Sequence, residues 1–143
     1  MTQPDAASDT AAIQSLVDEL DESTAADSRV LIEMMRGISG HEPRVWNVGT
    51  IGFDTYHYRY DSGREGDSHC LAFYPRRGKI TVYLMDGTAQ RSALLADLGT
   101  HTTSRVCVYL KRLSDVSLPV LEQVLRESYA ALKAGDGQVR RVE

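Results

Sequence analysis

The sequence predicts an α+β fold, a two-layer α/β sandwich whose antiparallel sheet carries the N-terminal and C-terminal helices on one face. Two observations predict it. Apolar residues follow helical spacing near both ends of the chain, within 9–40 and 117–134. The middle of the chain is instead rich in aromatic and β-branched residues broken by glycine-containing turns, which is typical of hairpin strands. Strands grouped between helices indicate segregated layers, in the order α-α-β-β-β-β-α-β-α.

Three long helices are predicted from capping residues and apolar stripes. Asp9 is expected to cap the first helix and Ser23 the second, which ends at Gly40. Ser117 is expected to cap the last helix and leaves Pro119 in its first turn, where proline is tolerated. The three apolar stripes are Ile13, Leu16, Val17 and Leu20, then Val30, Leu31, Met34, Met35 and Ile38, and finally Leu121, Val124, Leu125, Ser128 and Leu132.

Strand segments and one short helix are predicted between the long helices, and Gly49 and Gly52 interrupt the first segment. The polar loop DSGREGD and the tight turn PRRG separate strands, because both are rich in residues that favour chain reversal. The predicted strands are 46–60, 68–74, 79–85 and 105–113, and the short helix is 91–98.

Length and composition indicate one cytoplasmic domain. A chain of 143 residues can bury a core of its own, and we expect a disordered leader at 1–8, one domain at 9–134 and a flexible tail at 135–143. The apolar runs are too short to span a membrane, and the acidic N-terminus is unlike a signal peptide. A pI near 5.5 argues against general nucleic-acid binding. Cys70 and Cys107 lie in apolar runs without a CxxC motif, which favours buried thiols.

Negative charge is concentrated in the N-terminal helices. Residues 1–33 hold eight acidic side chains and one basic one, a net charge of −7, whereas 34–143 hold twelve and fifteen, a net charge of +3; together they give −4. Asp18, Asp21 and Glu22 have helical spacing and are expected on one helix face. Because hard cations prefer carboxylate oxygens, these residues predict a weak, exchangeable cation site. A solvated helix face and a docking surface for a basic partner are the alternatives.

Tyrosines mark a second candidate site. Tyr56, Tyr58 and Tyr60 alternate along one predicted strand, and Tyr83 and Tyr109 lie in neighbouring strands. If they converge, they form an aromatic platform for a ring-bearing ligand or a protein partner. The alternative is that they are the core-facing set, because alternation is first a burial signal. The predicted ligand-binding residues are Trp46, Tyr56, Tyr58, Tyr83 and Lys111.

Histidines and basic residues give weaker signals, and no catalytic motif is present. His57 and His69 are expected to face each other across the hairpin. A basic cluster suits a phosphate or an acidic partner, although charges that protect a sheet edge from aggregation are the favoured interpretation. The sequence contains no GxSxG, P-loop or GxGxxG motif, so we expect a protein that is not an enzyme. The basic cluster is Arg76, Arg77, Lys79, Lys111 and Arg112.

Several long motifs resemble one family. Trp46, GTIGFDTYHYRYDSGREGD (49–67), AFYPRRGKITVYLM (72–85), LLADLGTH (94–101) and VYLKRLSDV (108–116) are similar to the YdhG-like domain family, a family of unknown function. The resemblance covers most of residues 24–133. It implies a frataxin-like sandwich and, for some members, an intracellular iron-chaperone role. That family usually has lysines flanking the histidine after LLADLG, whereas this chain has threonines, so an anion-binding role that relied on those lysines is in doubt here.

The leading hypothesis from the sequence is a non-enzymatic cytoplasmic binding protein that resembles an iron chaperone. It would hold iron weakly through Asp18, Asp21 and Glu22 and pass it to an iron-receiving protein partner, with no nucleic-acid or membrane partner. The alternative is a small-molecule or protein-partner binding module that uses an aromatic sheet face. The sequence does not indicate an oligomeric state.

Overall fold

The fold is described from a computed structural model, which covers residues 6–47, 49–135 and 139–140. Four helices and seven strands follow in chain order, with short 3₁₀ turns at Thr88–Arg91 and Leu113–Asp115. The helices are α1 (Ala6–Asp18), α2 (Glu22–Ser39), α3 (Ser92–Leu95) and α4 (Leu118–Ala134). The strands are β1 (Arg44–Trp46), β2 (Thr50–Tyr60), β3 (Glu65–Arg76), β4 (Lys79–Tyr83), β5 (Thr102–Thr103), β6 (Cys107–Leu110) and β7 (Val139–Arg140).

One sheet carries the helices on one face, which confirms the predicted α+β sandwich. The strands run in the order β1-β2-β3-β4-β6-β5, and all neighbours on this path are antiparallel. The short β7 pairs in parallel with the end of β2. The likeness to frataxin stays a prediction.

The main core lies between the helices and the sheet. It is built from apolar residues of α1, α2 and α4 together with alternate residues of the strands. Ile80 and Val82 of β4 and Val108 and Leu110 of β6 point into this core and are almost fully buried. Their sequence neighbours therefore point to the opposite side of the sheet, which we call the open face. The largest fully buried side chains include Phe53, Phe73, Leu31, Met35, Leu121 and Leu125.

The helix ends follow capping chemistry, with two differences from the prediction. Gly40 ends α2 at φ 70° and Ser117 caps α4, both as predicted. The residue that caps α2 is Asp21, whose carboxylate accepts from the backbone of Thr24, rather than Ser23. Asp9 does not cap α1, which already begins at Ala6. The Asp9 carboxylate instead accepts a hydrogen bond from the backbone N–H of Val45 at 3.0 Å and ties α1 to β1.

The two ends of the chain differ in part from the predicted leader and tail. Residues 6–8 belong to α1, and residues 139–140 form β7. The rest of the predicted leader, 1–5, lies outside the described residues, as do 136–138 and 141–143 of the predicted tail. The two-residue strands β5 and β7 are too short for a sequence pattern to indicate.

The side chains of β2 exchange faces at Asp54. Phe53 packs in the main core, and strict alternation would next bury Thr55. Tyr56 is buried instead, in a second cluster with Leu132 of α4. Asp54 adopts φ 59°, a left-handed conformation that non-glycine residues rarely occupy. Because of this conformation, the side chains of Phe53 and Asp54 both lie on the helix side of the sheet. The alternation of side chains between the two faces resumes one residue later.

A hydrogen-bond network holds Asp54 in this conformation. Its carboxylate is 8% exposed and accepts from the Tyr129 hydroxyl and from the backbone N–H of Thr55, both at 2.7 Å. Lys133 Nζ lies 3.4 Å and His41 Nε2 3.5 Å from the same carboxylate. Burial raises the pKa of Asp54, but these hydrogen bonds and the neighbouring His41 and Lys133 outweigh burial and hold it below its ordinary value. The charge of Asp54 therefore joins β2 to α4.

Candidate functional site

The three carboxylates of the predicted cation site do not share a helix face. α1 ends at Asp18, and α2 begins at Glu22, so Asp18, Asp21 and Glu22 lie across a helix junction. The prediction of one continuous face was wrong because helical spacing applies only within one helix. The capping residue at position 21 is what separates the two helices.

Two of the three carboxylates at this junction, Asp18 and Asp21, already have partners within the fold, although Asp21 Oδ1 is buried without one. Asp21 accepts from the Ser23 hydroxyl at 2.8 Å and from Thr24 N at 3.2 Å, and hydrogen bonds from Thr24 and Ser23 lower the pKa of Asp21 to about 2. Asp18 pairs with Arg29 at 3.2 Å. Within the described part of the chain, no group of three or more His, Cys, Asp or Glu side chains is placed to hold a metal ion. The iron site stays a prediction that rests on the resemblance.

The predicted ligand-binding residues are divided between two sides of the sheet. Tyr56 is 5% exposed and lies under α4, and Tyr58 packs beside it. The alternative interpretation, that these tyrosines face the core, is therefore the one that fits. Trp46 and Tyr83 lie on the open face, and Lys111 follows β6 at the end of the sheet. The five residues do not form one site.

Trp46 and Tyr83 enclose a buried histidine on the open face. The rings of Trp46 and His69 meet edge to face at 5.4 Å between centroids, and those of His69 and Tyr83 lie 5.5 Å apart. A Cβ on Gly52 would come within 2.6 Å of the Trp46 ring, so glycine lets this ring lie flat against β2. His69 Nδ1 is buried and finds no hydrogen-bond partner among the described residues. Burial lowers the pKa of His69 to about 4. These rings form a packed layer rather than an accessible platform.

His57 and His69 do not face each other, so that prediction was wrong. The register of the hairpin places His57 opposite Asp67, and His69 opposite Thr55. Both ring nitrogens of His57 lie 2.8 Å from carboxylate oxygens, one of Asp67 and one of Glu65. Hydrogen bonds to Asp67 and Glu65 raise the pKa of His57, so its cationic form is favoured. His57 of β2 is thus linked to β3 by two side-chain hydrogen bonds.

An open cleft lies at one end of the sheet, where the β3–β4 turn, the end of β6 and the segment before β5 come together. Its volume is about 530 Å³. We call it the basic cleft because two lysines and a histidine line it, against one carboxylate. Its principal lining residues are Lys79, Lys111, Tyr109, Thr102, His101 and Asp115.

Tyr109 forms the centre of the open face beside the basic cleft. It pairs with Thr81 of β4 on one side and with Thr102 of β5 on the other. Its hydroxyl donates to Ser104 Oγ at 3.2 Å, which fixes the ring. Lys79 Nζ lies 5.0 Å from the centroid of this ring, within cation–π distance. The tyrosine therefore holds the ammonium group on the open face.

Three cations from three adjacent strands form one row across the end of the sheet. Arg76 is directly opposite Lys79 in the β3–β4 ladder. The β4–β6 ladder ends at the pair Ile80–Leu110, and Lys79 and Lys111 are the next residues of the two segments, where both line the cleft. We call Arg76, Lys79 and Lys111 the cation row. Like charges directly opposite one another in a sheet are destabilising, so the row is a cost to the free protein.

Arg76 is held in place by an aromatic ring, as Lys79 is. Its guanidinium lies 4.9 Å from the centroid of the Tyr74 ring. It also donates a hydrogen bond to Thr81 Oγ1 at 3.3 Å. Both contacts direct the guanidinium along the open face, toward Thr81 of β4, which is paired with Tyr109 of β6. Each of the two cations is thus oriented by a neutral group.

The cation row lacks the carboxylate partners that six other cations of the described residues have. In the part of the chain that the structure describes, no carboxylate lies within salt-bridge distance of Arg76, Lys79 or Lys111, nor of Arg77 in the adjoining turn. Ion pairs elsewhere are Arg29–Asp18, Arg36–Glu33, Arg91–Asp86, Arg112–Asp27, Arg126–Glu122 and Lys133–Asp54. Arg112, which the sequence placed in the basic cluster, belongs instead to this paired set.

The loop that completes the cleft is fixed by backbone contacts. Gly99 has φ 117°, and a Cβ there would lie 2.5 Å from the carbonyl oxygen of Asp115. The N–H of Thr100 donates to the same carbonyl at 3.2 Å. His101 Nδ1 lies 2.7 Å from the carbonyl oxygen of Gly99, so it carries the proton and donates. The other ring nitrogen, Nε2, is then the one left for a ligand.

Some residues of this cleft were predicted from the sequence. Lys111 was predicted as a ligand-binding residue, and Lys79 belonged to the basic cluster. His101, Thr102 and Tyr109 were not assigned to a common site with them, because only the pairing of β6 with both β4 and β5 brings these residues together. The available signal was the charge itself: two basic segments, PRRGK and LKR, of which only the second has an acidic residue nearby, Asp115.

Comparison with known proteins adds no relative. No protein-family model, no curated protein and no solved structure matches this chain. The resemblance to the YdhG-like family therefore stays a prediction from its motifs. None of the helices among the described residues is both long and apolar enough to cross a membrane.

Proposed function

We propose that this protein is a non-enzymatic binding module that takes a small negatively charged molecule in the basic cleft. The observation that carries the proposal is the cation row, whose charges have no carboxylate partner and lie beside a concave space. This is the alternative function that the sequence suggested, with its site moved from the tyrosines to Lys79 and Lys111.

The energetics favour an anion as the missing partner. Opposed like charges on neighbouring strands destabilise a sheet by roughly 0.2–1 kcal/mol for each pair. A bound anion removes this repulsion and gains charge-assisted hydrogen bonds, which are about twice as strong as neutral ones. The cation–π contact of Lys79 with Tyr109 orients the ammonium group before a ligand arrives, so less side-chain freedom is lost on binding.

The shape of the cleft suits a small molecule. A volume of about 530 Å³ lies within the range of roughly 300–1,000 Å³ that is usual for ligand pockets. Thr100 and Thr102 supply hydroxyl groups at the rim, and His101 supplies Nε2. The two hydroxyl groups donate hydrogen bonds that complement the two lysines in holding an oxyanion, whereas Nε2 of the neutral ring accepts and so suits a protonated oxygen of the ligand.

The iron-chaperone function and the cytoplasmic location remain proposals that rest on the sequence alone. Their support is the resemblance and the concentrated negative charge of residues 1–33. The geometry favours the anion-binding function because the carboxylates Asp18 and Asp21 already bind groups of the fold, whereas the cation row has no charged partner among the described residues.

The test is calorimetric titration of the purified protein with inorganic orthophosphate at low ionic strength. We expect saturable binding to the wild type. Each of Lys79→Gln and Lys111→Gln is expected to weaken it by about tenfold, the loss of one hydrogen bond to a charged group. The matched control is Arg126→Gln, which removes a cation of α4 that pairs with Glu122 far from the cleft and is expected to leave affinity unchanged.

Two results would count against the proposal. One is the absence of saturable binding of any small oxyanion to the wild type. The other is equal weakening by all three variants, which would mean that only net charge matters. Binding of an acidic peptide but of no small oxyanion would replace the small-molecule function with a protein-docking one.

A further inference from the structure

We infer that the ligand of the basic cleft carries a diphosphate group, with one phosphoryl group between Lys79 and Lys111 and the second held by Arg76. This inference rests on the proposed anion-binding function and adds the chemical class of the ligand. It is argued from the length of the cation row, the orientation of Arg76 and the covered faces of the two tyrosine rings.

The cation row is too long for one compact oxyanion. Neighbouring strands lie about 4.8 Å apart, so a row across β3, β4 and β6 spans roughly 10 Å at the backbone. Lys79 and Lys111 both line the cleft, whereas Arg76 lies one strand further along the same row. A single phosphate in the cleft would leave the Arg76 charge without a partner. Two linked phosphoryl groups along the row would give every cation a partner.

The guanidinium of Arg76 is directed so that it can reach such a second group. It donates to Thr81 Oγ1 and stacks on Tyr74, which uses one of its five N–H donors and one of its faces. The remaining donors have no carboxylate partner. A planar guanidinium fork matches two oxygens of one phosphoryl group, which a lysine cannot do.

The aromatic rings of this face do not offer a stacking platform. The ring of Tyr109 is covered by Lys79 and that of Tyr74 by Arg76. A nucleobase that stacked on the cation-bearing face of either ring would have to displace that cation. We therefore place recognition in the diphosphate group itself, whether it comes from inorganic diphosphate or from a nucleoside diphosphate.

The test compares orthophosphate, inorganic diphosphate and adenosine diphosphate by calorimetry, without metal ions. We expect the wild type to bind diphosphate about tenfold more tightly than orthophosphate, the effect of one added charge-assisted contact. Adenosine diphosphate is expected to bind within threefold of inorganic diphosphate. Arg76→Gln is expected to abolish the preference for diphosphate, and to weaken orthophosphate binding less than Lys79→Gln or Lys111→Gln does.

Two variants make the test specific to the position of Arg76. Arg77→Gln removes the same charge from the next residue, which lies in the turn outside the row, and is expected to keep the preference. Arg76→Lys keeps the charge but loses the guanidinium fork, and it is expected to keep part of the preference for diphosphate, between the wild type and Arg76→Gln, which separates loss of the cation from a change in folding.

Failure of the inference and failure of the proposed function give different results. Orthophosphate binding that depends on Lys79 and Lys111, with equal effects of Arg76→Gln and Arg77→Gln on diphosphate, would overturn the diphosphate inference and keep the function. A tenfold preference for adenosine diphosphate over inorganic diphosphate would also overturn it, because the nucleoside would then be recognised. No binding of any of the three anions would overturn both.

Discussion

Charged side chains on the two faces of the sheet differ in whether they have a partner of opposite charge or a hydrogen-bond donor. On the helix-covered face, buried carboxylates each accept hydrogen bonds from a distant element: Asp27 from Arg112 and Leu113 N, and Asp86 from Arg91 and Ser128. On the open face, the cation row has no carboxylate partner. The paired carboxylates hold the layers together, and the cations of the cation row are left for a ligand.

This difference separates the residues that maintain the fold from those that we expect to bind. A buried charge without a partner is too costly to retain, which explains why Asp27 and Asp86 are both paired. An exposed cation costs little in water, and a cluster of them persists where repulsion is modest. Substitutions on the two faces should therefore change different properties, stability on one and anion affinity on the other.

The largest expected effect on stability comes from Asp54. Asp54→Ala removes the carboxylate that Tyr129 and Lys133 contact and leaves a β-carbon in a left-handed conformation. We expect it to lower the free energy of unfolding by about 3 kcal/mol. Asp54→Gly loses the same contacts without the backbone strain, and we expect it to be about 1 kcal/mol more stable than Asp54→Ala.

Urea denaturation measures this pair of variants, with Asp18→Ala as a control for an exposed ion pair that should have little effect. Equal stability of Asp54→Ala and Asp54→Gly would mean that the left-handed conformation of β2 carries no strain. The exchange of faces at this position would then need another explanation.

A smaller effect is expected from the pH dependence that His69 causes. Its pKa is about 4 in the folded protein and 6.5 in its ordinary state, so between these values the unfolded chain binds the proton and the folded chain does not. Stability is therefore unaffected by His69 above pH 6.5 and falls as the pH drops from 6.5 to 4. The difference corresponds to about 3 kcal/mol at most, since one pKa unit is worth about 1.4 kcal/mol.

Comparison of the wild type with His69→Phe by urea denaturation at pH 7 and pH 4.5 isolates this contribution. The carboxylates titrate in both proteins, so their effect cancels in the difference. We expect the wild type to lose more stability on acidification than the variant. Identical losses would show that the histidine between Trp46 and Tyr83 is protonated in the folded state.

The smallest expected effect is a gain in stability on the open face. Lys111→Gln removes one of two adjacent positive charges and is expected to raise the free energy of unfolding by a few tenths of a kcal/mol, about 0.3, at low salt. The same variant is expected to lose anion affinity. A thermal melt at 10 mM and 500 mM salt checks the sign, because screening should remove the difference. A destabilised Lys111→Gln would mean that the lysine has a structural partner.

Much of the fold follows from local sequence signals, whereas the site depends on distant pairings. The spacing of Leu121, Val124 and Leu125 and the caps Ser117 and Gly40 predicted helices correctly, because caps and periodicity act within a few residues. Asp21 and Ser23 are both good caps two residues apart, and the sequence does not choose between them.

The candidate site was only partly visible in the sequence for the same reason. Asp27 and Arg112 are separated by 85 positions, so the sequence does not show that Arg112 is paired while Lys111 beside it is not. The strain at Asp54, which turns Tyr56 toward the core, has no marker such as a glycine. Which cations remain unpaired becomes clear only once the strands are assembled.

The most direct test of the central claim is a titration of the ¹⁵N-labelled protein with orthophosphate, followed by amide chemical shifts. We predict saturable shifts confined to the basic cleft, at Gly78, Lys79, the 100–102 segment and 109–111, with the α1–α2 junction unchanged. Saturable shifts centred elsewhere, or none at the cleft, would contradict the claim that the unpaired cations of the open face form the binding site.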